Sequence, residues 1–180
     1  PPRSTLFPYT TLFRSPDEAK AWPSRPVRMI VPFPAGGATD TLSRLFCAKM
    51  AELTNQQWLV ENKGGSGGNV GMDTLAQAVP DGYTLGLGGI ASHAIAPTLY
   101  AKLPYSLSRD FSPVAPLASF PLLLAVHPST KLGSVKELIS LARSKPGVLN
   151  YGSAGNGTFS HLLMEMLKML LMVLMQHLIM

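Results

Sequence analysis

The chain is poor in the residues that most often announce a chemistry. Its 180 residues hold one cysteine, Cys47, so no internal disulfide can form. Cys47 falls inside an apolar helical pattern, which fits a small buried side chain better than a reactive thiol. Charged residues make up only 14% of the chain, with no basic run and no interleaving of basic and aromatic residues, which excludes a nucleic-acid surface. The four histidines, His93, His127, His161 and His177, have neither metal-ligand spacing nor cysteine partners, so no metal and no cofactor are called for. No uninterrupted apolar run reaches the roughly 20 residues that a bilayer requires. What is present, 46% apolar residues and a net charge of +5, is a globular composition.

Both ends of the chain read differently from its middle. Residues 1–15, PPRSTLFPYTTLFRS, back-translate codon for codon to a stretch that resembles a common short-read sequencing adapter. This segment is expected to be an artefact without order, and it is set aside from fold reasoning. It stands where a leader would stand, so no signal peptide is read from this chain. At the other end, six of the nine methionines fall between Met164 and Met180. Residues 170–175 carry no breaker, cap or charge. One reading is a buried Leu/Met helix. The sharper one, adopted for residues 169–180, is a frame slip near Lys168 to Leu171.

Between these ends the pattern alternates strand and helix. Residues 27–33 form a short, nearly continuous apolar run, as in a parallel strand covered on both faces. Thr39 or Asp40 is placed to cap a helix whose apolar positions Leu42, Leu45, Phe46, Met50 and Leu53 recur at spacings of three and four. Strands are predicted at residues 58–60 and 83–87, with a glycine loop at 63–69 and a helix through Val70, Leu75 and Val79 between them. A short helix and loop follow over 91–104. Residues 114–127 are long and apolar but broken by Pro116 and Pro121, giving two strands or a single crossing one. Ser134 and Glu137 form a capping box for a helix through Arg143, which Lys145-Pro146-Gly147 stops. A strand at 148–151, a second glycine turn and a helix from Thr158 repeat the order seen at the start. This is an α/β pattern with parallel sheets.

The most informative stretch is Phe33-Pro34-Ala35-Gly36-Gly37-Ala38-Thr39-Asp40. A strand ends in a Pro- and Gly-rich turn, and a helix begins at once. Such a turn leaves main-chain N–H groups pointing out of a helix start that carries about half a positive charge. That is a seat for a carboxylate or phosphate, needing no Arg or Lys. Asp40 would repel an anion, so its part is to cap and shape the loop. The same kind of turn recurs at Ser153, Ala154, Gly155, Asn156, Gly157, Thr158, Ser160 and His161. Two such turns on one small acid would make a binding protein rather than a catalyst. Ser92 and His93 follow the third strand at its C-terminal end, where open parallel sheets bind ligands.

Two other motifs compete with this reading. Gly64-Gly65-Ser66-Gly67-Gly68 matches the G-x-S-x-G nucleophile elbow, with Asp73 or Asp110 and His127 or His161 as nominal partners. A serine hydrolase using Ser66 is therefore the alternative function, although no oxyanion motif precedes it. Residues 86–91 resemble a G-x-G-x-x-A dinucleotide turn, but no acidic residue follows at the required distance.

Trp22-Pro23-Ser24-Arg25-Pro26-Val27-Arg28, then IVPFPAGGATD, VENKGGSGGNVG, PDGYTLGLG and LNYGSAGNGTFSH, resemble the Bug family. These are the periplasmic substrate-binding receptors of tripartite tricarboxylate transporters. The resemblance runs from about Ala21 to Lys168. It implies a periplasmic-binding-protein-like, two-lobed (Venus flytrap) α/β fold whose lobes close on a small organic carboxylate. It implies a monomer that hands its ligand to the membrane permease subunits, with no nucleic-acid partner. Ligand contacts would come from Phe33 through Asp40, from Ser92 and His93, and from Ser153 through His161. Residues 16–112 would be most of lobe 1 and 113–168 the first part of lobe 2. The family continues well beyond this length, so the second lobe is expected to be incomplete and binding impaired.

Overall fold

The structure, a computed structural model, describes residues 22–171 and 175–179. The adapter-like segment lies outside the described residues. The chain divides into two compact units, one ending at Val114 and the other beginning at Ala115.

The first unit is built on a parallel sheet. Its elements are β1 (Val27–Val31), α1 (Ala38–Thr54), β2 (Trp58–Asn62), α2 (Asn69–Ala76) and β3 (Thr84–Gly86). The strand order is β2-β1-β3, with Val27 opposite Trp58 and Arg28 opposite Thr84. As the central strand, β1 is covered on both faces, which is why its sequence is apolar without alternation. Val27, Met29, Ile30 and Val31 are all buried, and Cys47 and Trp58 join them in the core. Arg28 is the exception. It donates to both carboxylate oxygens of Glu61 on β2, at 2.7 and 2.9 Å. The strand ends at Val31, two residues before the apolar run does, because Pro32 has no N–H to give a ladder.

The apolar stripe expected on α1 is met in part: Phe46 and Met50 pack against the core and Leu42 is half-buried. Asp40, Ser43 and Cys47 form the buried line, whereas Leu45 and Leu53 are 67% and 69% exposed. The rotation of α1 is fixed by the bonds of Asp40 to the turn and to β2, and that polar anchor overrides the leucine spacing. Close contact holds α2 against the start of the turn. A Cβ on Gly71 would stand 2.7 Å from Pro32 Cα and 2.8 Å from the Lys63 carbonyl oxygen, so only glycine fits. After β3 the chain makes a π-helical turn (Ala91–Ile95) that runs into α3 (Ala96–Leu99), and then α4 (Leu107–Asp110).

The second unit contains α5 (Val135–Ser144), β4 (Asn150–Ser153), α6 (Phe159–Leu171) and β5 (Gln176–Ile179). The capping box is half realised. The Glu137 amide donates to Ser134 Oγ at 3.2 Å, but the Glu137 carboxylate accepts from Gly133 rather than from Ser134. The strand begins at Asn150 rather than Val148, which is 62% exposed. No residue of α6 is buried, and Met169 and Leu170 are 79% and 77% exposed, while residues 172–174 of the Leu/Met run lie outside the described residues. The tail returns as β5, parallel to β4 with Gln176 opposite Asn150. The strands expected within residues 114–127 are absent. Residues 114–126 are exposed and have no strand partner among the described residues. Among the described residues, no helix is long and apolar enough to cross a membrane.

Candidate functional site

The first turn leaves the sheet at the C-terminal end of β1. Pro32 is buried, and residues 34–38 are exposed. Gly36 takes φ +89°, a left-handed conformation that a side chain would strain. The inner side of the turn is fixed by one carboxylate. Asp40 Oδ2 accepts from the Gly36 amide at 2.8 Å and from Arg44 Nε at 3.0 Å. Asn62 Nδ2 donates to Asp40 Oδ1 at 3.0 Å and to the Phe33 carbonyl oxygen at 3.1 Å. Arg44 Nη2 closes the ring by donating to Asn62 Oδ1 at 3.2 Å. The Arg44 guanidinium, then the Gly36 amide and the Asn62 side chain, hold the Asp40 carboxyl down at about 2.

Asp40 is thus turned inward and 3% exposed. It braces the loop, but it does not cap the helix, and neither does Thr39. The N-cap is Gly37, in extended conformation with no side-chain cap hydrogen bond. The Gly36 amide is taken by Asp40, and the helix-start amides after it face an exposed turn with no capping side chain. Sequence reading missed Arg44 and Asn62. The signals were there: Arg44 lies one helical turn after Asp40, and Asn62 is the last residue of β2, beside the end of β1.

The loops after all three strands cluster at this end of the sheet. A Cβ on Gly64 would lie 3.1 Å from Pro34 Cδ, and the 3-10 turn Ser66–Gly68 packs on the π-helical turn. Within that turn Ser92 is buried, and its Oγ lies 2.8 Å from His93 Nδ1 and 3.3 Å from the Gly89 carbonyl oxygen. Burial pushes the His93 imidazole below its ordinary range, which favours the neutral ring. The Tyr105 hydroxyl stands 2.8 Å from Asn69 Oδ1 and 3.0 Å from the Ser92 carbonyl oxygen, pinning the loop from beneath. Asn69 and Tyr105 were also missed, being ordinary polar and aromatic residues far apart in sequence. The structure therefore gathers Phe33, Pro34, Ala35, Gly36, Gly37, Thr39, Asp40, Ser92 and His93 on turns and helix starts that follow the C-terminal ends of β1 and β3.

The second turn is internally tied. The amides of Ala154, Gly155 and Gly157 each donate at 3.3 Å, to Ser160 Oγ, Ser153 Oγ and His161 Nδ1 respectively. Thr158 Oγ1 donates to the Gly155 carbonyl oxygen at 2.7 Å, and it accepts from the His161 amide at 3.4 Å. Asn156 is exposed, while Ser153, Gly157 and Thr158 are buried. Below the turn, Tyr151 hydrogen-bonds Glu165, and Lys168 Nζ donates to both Glu165 oxygens at 2.8 and 2.9 Å. Lys168 and Tyr151 together hold the Glu165 carboxyl below its ordinary range.

The competing motifs find no support. Ser66 sits at φ +48° within the 3-10 turn, and no hydrogen bond joins it to a histidine among the described residues. His127 binds Ser129 instead, and His161 binds the second turn. No cluster able to hold a metal occurs among the described residues.

Comparison with known proteins gives a consistent result. A sequence model described as the tripartite tricarboxylate transporter family receptor (TctC) matches residues 42–179. The match continues past Lys168, where the motif resemblance stopped. A UPF0065 protein of Bordetella pertussis (strain Tohama I) is 43% identical over 150 residues, covering 83% of this chain and 46% of that protein. The structure of R. palustris Rpa4515 with adipate superposes with a TM-score of 0.85 at 36% identity, covering 88% of this chain and 53% of that one. MatC (Rpa3494) from Rhodopseudomonas palustris with bound malate gives 0.80 at 36% identity, covering 88% and 54%. The chain spans about half the length of the curated relatives it matches.

Proposed function

Because this chain belongs to the tripartite tricarboxylate transporter receptor family, we propose that it is the carboxylate-capturing portion of an extracytoplasmic receptor. The ligand is a small organic di- or tricarboxylate. The receptor works in the periplasm as a monomer and delivers its ligand to the membrane permease subunits of the transporter. It transforms nothing.

One observation carries the reading. The exposed turn before α1 presents helix-start amides that no side chain caps, while the nearest acid, Asp40, is pulled inward, paired with Arg44 and hydrogen-bonded by Asn62. A carboxylate there meets donors and a positive helix end, with the Asp40 carboxylate engaged by Gly36 and Arg44. Each amide bond to a carboxylate is worth about 1.5–3 kcal/mol. Ser92 and His93 lie on the turn that follows β3 and contribute polar contacts. Ser153, Gly155, Asn156, Gly157, Thr158, Ser160 and His161 make the corresponding turn of the second unit. The adipate of Rpa4515 and the malate of MatC, both dicarboxylates, support this ligand class. We read residues 16–112 as most of lobe 1 and residues 113–168 as the first part of lobe 2.

The test is a chimera in which this chain replaces the matching portion of MatC, titrated calorimetrically with malate, adipate, succinate and citrate. At least one acid is expected to bind with a Kd of about 1–100 μM. A chimera that folds, by circular dichroism and cooperative melting, yet binds none of them overturns the proposal.

A further inference from the structure

His93 carries a chemistry that capture by main-chain amides leaves unused. It stands on the turn after β3, whose Gly86 lies opposite Ile30 of β1, just before the amide-bearing turn. Its imidazole is half-buried and fixed in place. A Cβ on Gly88 would stand 2.5 Å from His93 Cε1 and 2.8 Å from Nε2, so the ring fills the space that glycine leaves. The Phe111 ring lies 5.9 Å from the imidazole between centroids, and Tyr105 packs edge-on against Phe111 at 5.4 Å.

Which ring nitrogen holds the proton follows from Ser92. Its hydroxyl has one proton and two neighbours, the Gly89 carbonyl oxygen at 3.3 Å and His93 Nδ1 at 2.8 Å. A carbonyl oxygen accepts and never donates, so both contacts are hydrogen bonds only if Ser92 donates to Gly89. Ser92 Oγ then accepts from Nδ1–H. The reverse assignment sets two oxygens lone pair against lone pair in a turn where Ser92 is 3% exposed. The proton is thereby assigned to Nδ1, and Nε2 keeps its lone pair. Burial lowers the imidazole and the Gly89 carbonyl offsets part of that effect, so the ring is neutral near pH 7. Nε2 makes no hydrogen bond among the described residues, and it is not one of the sealed-in atoms left without a partner.

A lone pair beside a carboxylate seat discriminates between ligands. An ionised carboxylate oxygen has no proton to give it, whereas a ligand hydroxyl does. An ammonium group would bring three N–H donors to one acceptor, and a hydroxyl brings one. We infer that His93 is a specificity-determining residue of this receptor, its Nε2 accepting from the hydroxyl of a hydroxy-substituted di- or tricarboxylate whose carboxylates rest on main-chain amides. Gly88 and Ser92 are positioning residues: Gly88 makes room for the ring, and Ser92 fixes which nitrogen is bare. The inference rests on the carboxylate reading and narrows it from small organic acids to hydroxy acids.

The experiment has two arms. In the first, NMR of this chain carrying isotope-labelled histidine reads the imidazole nitrogens, the His93 signals being those lost in His93→Phe. A pyrrole-type Nδ1 and a pyridine-type Nε2 are expected, and the opposite pattern overturns the proposal with no ligand present. In the second, this chain replaces the matching portion of Rpa4515, whose bound adipate has no hydroxyl, so that a preference for one comes from this chain. The chimera is titrated calorimetrically with malate, succinate and aspartate, which share one carbon skeleton. Malate is expected to bind about tenfold or more tighter than succinate. His93→Phe removes the acceptor, and Gly88→Ala displaces the ring, whose side chain is free to swing aside without unfolding the turn. Each is expected to bring malate and succinate within about twofold, with succinate little changed. Equal affinities in the unsubstituted chimera, tighter binding of aspartate than of malate, or a malate preference that survives His93→Phe overturns the proposal and leaves the carboxylate reading standing. A folded chimera that binds no acid defeats that reading, and this inference with it.

Discussion

Asp40 shows how a residue that repels the ligand can serve its site. Its carboxylate is spent on the Gly36 amide, Arg44 and Asn62, and its negative charge is held away from the exposed face of the turn. The folded state keeps this group ionised down to about 2, against an ordinary value of 3.8. A carboxyl lowered on folding binds more protons unfolded than folded between those values, so its contribution is complete above about pH 4 and drains away as pH falls toward 2. Chemical denaturation of Asp40→Asn and the parent chain from pH 2 to 5 checks this. The parent should lose more stability across that window than the variant, and parallel pH profiles would refute the assignment. Gly71 gives a second residue-level expectation. Its missing Cβ lets α2 approach Pro32, and Gly71→Ala must push backbone atoms now 2.7 and 2.8 Å from that position. Overpacking of this kind costs about 1–3 kcal/mol, measurable as a lower urea midpoint with an unchanged m-value.

Among the elements, α1 is the one whose N-terminus matters most. Gly37 is extended, with ψ 173°, and Ala38 is the first helical residue. Proline suits that first position, because its N–H would have no helical partner and its φ is already helical. The residue before it is in the extended region that proline prefers. Ala38→Pro should therefore leave the melting temperature nearly unchanged while deleting one amide from the seat. In the MatC chimera the expected loss of affinity is about tenfold or more, the equivalent of one charge-assisted bond. An unaltered affinity would place the carboxylate elsewhere. On the same helix, periodicity placed Phe46 and Met50 on the packed face but also assigned to it Leu45 and Leu53, which are exposed. Their spacing satisfied a helical stripe, but the polar anchor at Asp40 set the rotation.

In the whole molecule, an α/β fold of the periplasmic-binding-protein kind is present for about half its length. That fraction frames the behaviour of the isolated chain. The first unit holds a turn with uncapped helix-start amides, whereas the turn of the second unit has the amides of Ala154, Gly155 and Gly157 tied to its own side chains, and the second unit exposes an apolar segment and an unburied α6. We expect this chain alone to show no binding tighter than about 1 mM in calorimetry with malate, adipate, succinate or citrate. Tight binding by the unaided chain would contradict that expectation.

Much of this protein was written locally and could be read as such. The apolar run of β1, the Pro- and Gly-rich turn, the helix after it, the capping serine of α5 and the family motifs all depend on neighbours within a few positions, where backbone sterics and short-range hydrogen bonds decide. Three-dimensional packing decided the rest. Asn62 reaches Asp40 from 22 positions away, Tyr105 reaches Asn69 from 36, and Pro32 presses on Gly71. No periodicity encodes those meetings, because they arise only when parallel strands bring their C-terminal ends together. Residues 114–126 mark the same boundary from the other side: their composition is that of a strand, but a strand exists only with a partner to complete its hydrogen bonds.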